Sequence, residues 1–159
     1  MTADALLDAL RGRGWTLGIA ESLTGGLLTA EIVAVPGASS VLRGGVVAYA
    51  TPVKHTLLGV DEHVLAEHGP VHPEVARQMA GGVRDAVAVE SRPADVGIST
   101  TGIAGPESPD GQPVGTVHIG IVTPLVRTAV SFLFDGDRSE IRHQTVAAAV
   151  SAALGLLRE

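Results

Sequence analysis

A chain of 159 residues is long enough for one domain with a proper core, and at 45% hydrophobic but 3% aromatic that core must come from Ala, Val, Leu and Ile. Gly 20 and Pro 9 point to defined turns, since the apolar content is too high for a disordered chain. A net charge of −6 without any Lys/Arg cluster argues against nucleic acid or a membrane surface as partner, and zero Cys excludes a disulfide frame, a thiolate nucleophile and a zinc–thiolate site.

Met1 to Arg11 lacks the apolar run of a signal peptide and no stretch is long enough to span a membrane, so a cytoplasmic protein is expected. Thr2 can cap a first helix with Ala3, Leu6, Leu7 and Leu10 on one stripe, ended by Gly12 and Gly14. Trp15 to Ala20 reads as a short buried strand. A polar turn, Glu21-Ser22-Leu23-Thr24-Gly25-Gly26, then leads into a helix with Leu27, Leu28, Ile32 and Val33, running to about Val35. Pro36-Gly37 stops it. Gly44 to Ala50 is β-rich and reads as strand two. Thr51-Pro52 opens a short helix containing Lys54, Leu57 and Leu58, and Asp61 caps another that Gly69-Pro70 terminates.

His72-Pro73-Glu74 starts a longer helix whose apolar face runs from Val75 to Val87. Asp95 to Thr101 is strand three. A loop rich in Gly, Pro, Ser and Asp spans Gly102 to Pro113, and loops that long in a compact domain usually carry function. Val114 to Thr123 is strand four, Pro124-Leu125 a tight connection, and Val126 to Phe134 strand five. Asp137-Arg138-Ser139-Glu140 has the form of a capping box for a last helix. The first three strands alternate with helices, which favours parallel crossovers. No helix separates strands three, four and five, so strand four should run against the rest. The expected fold is α/β: a three-layer α/β/α sandwich, one domain over 1–159, with a mixed five-stranded sheet and one antiparallel strand.

Ligands of α/β sheets bind at the ends of strands, and three polar segments stand there: Glu21 to Gly26, Tyr49 to Lys54, and Ser99 to Pro106. They contain the parts of a hydrolase that needs neither thiol nor metal. Ser22 would be the nucleophile, Lys54 the base, and backbone amides the oxyanion donors. Gly25 and Gly26 would let a ligand approach the backbone, and free amides at the following helix N-terminus would favour an anion. Each part also has an ordinary use. Ser22 or Thr24 can simply cap the helix, Lys54 can be a solvated helix residue, and Tyr49 a half-buried strand residue. The six His residues form no ligand pattern, and no Walker or G-x-G-x-x-G motif is present, so neither a metal nor a dinucleotide cofactor is expected.

These segments, taken in order, resemble the CinA C-terminal domain family. They are Ala20 to Gly26, Tyr49 with Lys54, Leu58-Gly59-Val60, Thr101 to Pro106, Pro113-Val114-Gly115, and Gly136-Asp137-Arg138 with Ile141-Arg142. Six ordered motifs over nearly the whole chain are far more specific than any one. The resemblance implies a three-layer sandwich with one antiparallel strand, and a nicotinamide-nucleotide amidase in its stand-alone form. Such an enzyme hydrolyses the carboxamide of nicotinamide mononucleotide to nicotinic acid mononucleotide and ammonia. It implies Ser22 as nucleophile assisted by Lys54, with Tyr49 orienting Lys54 or relaying a proton. Thr24, Gly25, Gly26, Thr101, Gly102 and Gly105 would hold the nicotinamide end or the oxyanion, and Arg138 and Arg142 the phosphate. It implies a small-molecule nucleotide substrate, no cofactor and a homo-oligomer. The chain departs from the family in carrying Leu23 where Cys is frequent, and Glu107-Ser108-Pro109-Asp110-Gly111 where the loop is usually richer in Gly. A non-catalytic pyridine-nucleotide-binding or protein-interaction module, and a hydrolase of a different small amide, are the competing readings.

Overall fold

The computed structural model describes residues 1–159. Five strands form one sheet in the order β2-β1-β3-β4-β5: β1 is Leu17–Glu21, β2 Leu42–Val47, β3 Val96–Gly102, β4 Thr116–Val122 and β5 Arg127–Leu133. β1 pairs parallel with β2 and β3, and β4 pairs antiparallel with both β3 and β5. The single reversed strand is therefore β4, as the missing helices before and after it require.

Six α-helices cover the two faces: α1 Ala3–Arg13, α2 Leu27–Val33, α3 Thr51–Leu58, α4 Glu62–His68, α5 Pro73–Ala86 and α6 Arg138–Arg158. Side chains alternate across a strand, so neighbouring residues of β1 enter different cores. Ile19 belongs to the larger core, with Leu6, Leu10, Leu28, Ile141 and Leu154 from α1, α2 and α6. Ala20 belongs to the smaller one, with Leu58 of α3 and Val75, Met79 and Val83 of α5. Both faces of β1 are buried, and its C-terminal end, between β2 and the central strand β3, leads directly into Ser22. No helix is long and apolar enough to cross a membrane.

The helix starts are built locally. Thr2 caps α1, and Asp137 and Glu140 form the capping box of α6. α3 lies tightly on α5 because Gly82 has no side chain: a Cβ there would meet the Leu58 carbonyl oxygen at 1.7 Å. That close approach sets the depth of α3, the helix that carries Lys54.

Two boundaries differ from the sequence reading in ways that matter. β2 ends at Val47, so Ala48, Tyr49 and Ala50 leave the sheet instead of continuing it. The Ala48 N–H still bonds the Glu21 carbonyl at 2.8 Å, and from there the chain turns into α3. The cap of α2 also differs. Neither Ser22 nor Thr24 caps it; the N-cap is Gly26, at φ 110, without a side-chain bond. The wholly buried Glu21 carboxylate accepts from Leu28 N and Thr29 N, both at 2.9 Å, and from Thr29 Oγ1 at 2.7 Å. Glu21 thereby takes amides that an incoming anion would have used.

Candidate active site

The turn after β1 holds Ser22 by its backbone. Ser22 N–H donates to the Thr100 carbonyl at 3.0 Å and to Thr100 Oγ1 at 3.3 Å on the adjacent strand. Thr24, fully buried, shares a hydroxyl–hydroxyl bond of 2.8 Å with the same Thr100. Relieved of capping, the Ser22 hydroxyl is free for other work.

Lys54 meets it from α3. Helical side chains lean back toward the helix N-terminus, which carries Nζ toward the segment that enters α3. Nζ lies 2.9 Å from Ser22 Oγ, 2.7 Å from the Ala48 carbonyl oxygen and 3.1 Å from that of Tyr49. The residue is 1% exposed and has no carboxylate partner. Burial disfavours the ammonium, and the pKa falls from 10.5 to about 8. A neutral amine has two N–H donors and one lone pair. The two carbonyls accept the donors, and the lone pair is left for Ser22.

A cavity of about 310 Å³ opens beside this pair. Ser22, Lys54, Tyr49, Thr101, Gly102, Gly105 and Arg138 all line it, so seven of the residues singled out in the sequence come together. Their individual duties differ from expectation. The Tyr49 hydroxyl accepts from Arg138 Nη2 at 3.1 Å, and what reaches Lys54 from Tyr49 is its backbone carbonyl. The phenol therefore does not orient Lys54. The Thr101 hydroxyl donates to the Pro70 carbonyl at 2.7 Å and is committed to the wall. Arg138 Nη1 donates to the Gly105 carbonyl at 2.6 Å, tying the 102–113 loop to the start of α6.

Thr24, Gly25, Gly26 and Arg142 do not line the cavity. Thr24 braces the turn from beneath. Gly25 and Gly26 take φ values of 58° and 110°, which supply the bend between β1 and α2. Arg142 donates to two carbonyls of the same turn, from Nε to Leu23 at 2.8 Å and from Nη2 to Thr24 at 3.3 Å. Two carboxylates not anticipated, Glu107 and Asp110, stand on the cavity wall. Burial raises the Asp110 pKa, but donors from Gln112 and Ser108 outweigh it and hold the carboxyl below its usual range. Arg138 is thus the one guanidinium on a wall with two acids. No group of three or more His, Asp or Glu residues is placed to hold a metal ion.

Lys54 has a signal in the sequence that its helical context hides. Of the 11 Lys and Arg residues it is the only lysine. That single lysine is buried against Ser22, and an amine, unlike a guanidinium, can lose its proton.

The model of the CinA C-terminal domain matches residues 1–157. A CinA-like protein of Frankia casuarinae is 46% identical over 153 residues, covering 96% of this chain and 33% of the relative. A competence-damage inducible protein of Bacillus pumilus is 42% identical over 151 residues, with 95% of this chain and 35% of the relative covered. The chain thus spans about a third of the length of these curated relatives. Among solved structures, a competence-damaged protein (CinA) superfamily protein of Klebsiella pneumoniae superposes with a TM-score of 0.91 at 31% identity, covering 98% of this chain and 95% of that one. The corresponding superfamily protein of Escherichia coli gives 0.90 at 28% identity, covering 99% and 88%.

Proposed function

This chain belongs to the CinA C-terminal domain family, and we propose that it is a serine–lysine amidohydrolase that deamidates nicotinamide mononucleotide to nicotinic acid mononucleotide and ammonia. The observation that carries this reading is the 2.9 Å contact between Lys54 Nζ and Ser22 Oγ at the wall of a cavity. The neutral Lys54 amine takes the Ser22 proton as Oγ attacks the carboxamide carbon. The tetrahedral intermediate collapses when the ammonium of Lys54 returns that proton to the departing nitrogen. Ammonia leaves, and an ester remains on Ser22. Water then attacks the ester carbonyl, giving its proton to the again-neutral Lys54; as the C–Oγ bond breaks, the Lys54 ammonium returns that proton to Ser22 Oγ, and the acid product leaves as its carboxylate after losing a proton to solvent. We assign the substrate phosphate to Arg138, the exposed guanidinium at the cavity edge.

One observation favours a second reading. Glu107 and Asp110 on the same wall oppose a dianionic phosphate and suit an amide of lower negative charge. Ammonia release measured over nicotinamide mononucleotide, its dephosphorylated nucleoside, free nicotinamide and unrelated primary amides separates the two. The highest kcat/KM on the mononucleotide supports the first reading, and on an uncharged or cationic amide the second. No release from any amide refutes both.

A further inference from the structure

Arg142 stands apart from the cavity, yet it grips the turn that carries the nucleophile from the far side of the sequence. It lies on α6, and its Nε and Nη2 bond the carbonyls of Leu23 and Thr24 at 2.8 and 3.3 Å. Bidentate donation to two successive carbonyls restrains both peptide planes at once. The plane before them is held as well, because the Ser22 carbonyl accepts from Gly25 N–H at 3.1 Å. Gly25 leaves room for this: a Cβ there would lie 3.4 Å from Arg142 Nη2, and φ at +58° already disfavours a side chain. Every carbonyl from Ser22 to Thr24 is thus engaged.

The amide of Leu23 is not. It has no acceptor within the protein, and Leu23 lines the cavity beside Ser22. The Thr24 amide also lacks an acceptor, but Thr24 is fully buried and off the cavity wall. In a trans peptide the N–H points opposite to the C=O, so anchoring the Ser22 carbonyl on Gly25 also fixes the Leu23 N–H. The first amides of α2 are taken: Leu27 N–H donates to the Thr24 carbonyl at 3.0 Å, and Leu28 and Thr29 N–H donate to Glu21. An oxyanion formed on a carbon bonded to Ser22 Oγ therefore has one unengaged amide next to it in the chain.

We propose that Arg142 is a positioning residue, not a phosphate ligand: it locks the Ser22–Gly25 turn so that the Leu23 N–H is held ready for the oxyanion. This rests on the amidohydrolase reading. The test compares wild type with Arg142→Gln and Arg142→Lys on nicotinamide mononucleotide and on its dephosphorylated nucleoside. A well-placed oxyanion donor is worth about 100- to 1,000-fold in kcat, and a loosened one a part of that. Arg142→Gln should lower kcat on the order of tenfold to 100-fold, by the same factor on both substrates, with KM within about twofold. Arg142→Lys, which keeps the charge and can reach one carbonyl, should recover part of the loss. A defect that merely reduced the folded fraction would disappear at temperatures well below the melting midpoint, so rates are read there, on protein whose active fraction is titrated. A raised KM confined to the phosphorylated substrate, with kcat intact, overturns the inference and makes Arg142 a phosphate ligand. Unchanged kcat and KM in Arg142→Gln also overturn it. A wild-type enzyme inert on every amide sinks the amidohydrolase reading and this inference with it, whereas an active wild type beside a normal Arg142→Gln sinks the inference alone.

Discussion

The amine of Lys54 must be neutral to act, and the structure sets how often it is. With the pKa lowered by burial from 10.5 to about 8, about one molecule in ten carries the free base at neutral pH, against about one in 3,000 for an unperturbed lysine. The difference is on the order of 300-fold in competent enzyme, equivalent to about 3 kcal/mol. The wild-type kcat/KM should therefore rise about tenfold from pH 7 to pH 9 and level off beyond it, where an ordinary lysine would give about 100-fold and no plateau. Replacing Lys54 by Arg keeps a cation that cannot deprotonate, so that variant should lose the step and nearly all turnover. Because the chain has only this lysine among its Lys and Arg residues, labelling lysine carbons with ¹³C gives a single ε-carbon resonance whose titration reports this one amine. A midpoint near 10.5, or a Lys54→Arg enzyme with near-normal turnover, refutes the assignment of Lys54 as base.

Ser22→Ala should fold with little change in melting temperature and lose ammonia release by several orders of magnitude, as expected for a covalent nucleophile; more than about a tenth of wild-type turnover in a purified sample rules Ser22 out. Glu21→Gln puts an amide with one acceptor oxygen against the three donors of Leu28 and Thr29. It should cost about 1–3 kcal/mol, read as a melting midpoint lower by roughly 2–10 °C, and an unchanged midpoint would show that the cap is dispensable. Lys54 also links stability to pH: the folded pKa lies below the unfolded one, so the unfolded chain binds the extra proton and the penalty is fully present below pH 8. Denaturant unfolding of wild type and Lys54→Met should show wild type gaining about 3 kcal/mol relative to the variant as pH rises from 8 to 10.5, and a pH-independent difference would mean that the folded amine is unperturbed.

The sheet was legible because its signals are local. Turn residues separate apolar runs, and the absence of a helix between strands three, four and five leaves antiparallel pairing as the short path. The site was legible as a set of strand-end segments, but not in its internal wiring. Helix capping is read from the residues next to a helix start, and Ser22 and Thr24 fit that rule. The carboxylate that reaches α2 comes instead from Glu21, the last residue of a strand, and only tertiary structure folds it over the turn. Lys54 sits in a short helix whose spacing resembles a solvated face, and its burial depends on α3 being drawn against Gly82. Arg142 looks like a surface residue of α6 until the separation of 119 positions between it and Leu23 is closed by the fold.

The same contact between Lys54 and Ser22 has two senses, and under the proposed mechanism this would let one side chain serve both halves of the hydrolysis without moving. When the amine is charged, its third proton is donated to Ser22 Oγ, which makes the hydroxyl a poor nucleophile. When it is neutral, the two carbonyls of Ala48 and Tyr49 keep both remaining protons, and the lone pair turns the 2.9 Å bond around to accept from Ser22. Those carbonyls therefore fix the direction of proton transfer. They lie just past the end of β2 at Val47, in the segment that turns into α3. An ammonium held by three acceptors and no carboxylate is stabilised less than an ion pair would stabilise it, which keeps the free base within reach of neutral pH. Introducing an acid into the cavity that Lys54 lines should reverse that. Val71, on the cavity wall, replaced by Asp would raise the Lys54 pKa, shift the pH–rate profile to higher pH and lower the rate at pH 7; the lysine ε-carbon titration checks the direction, and a midpoint that stays near 8 would mean that burial alone governs the amine.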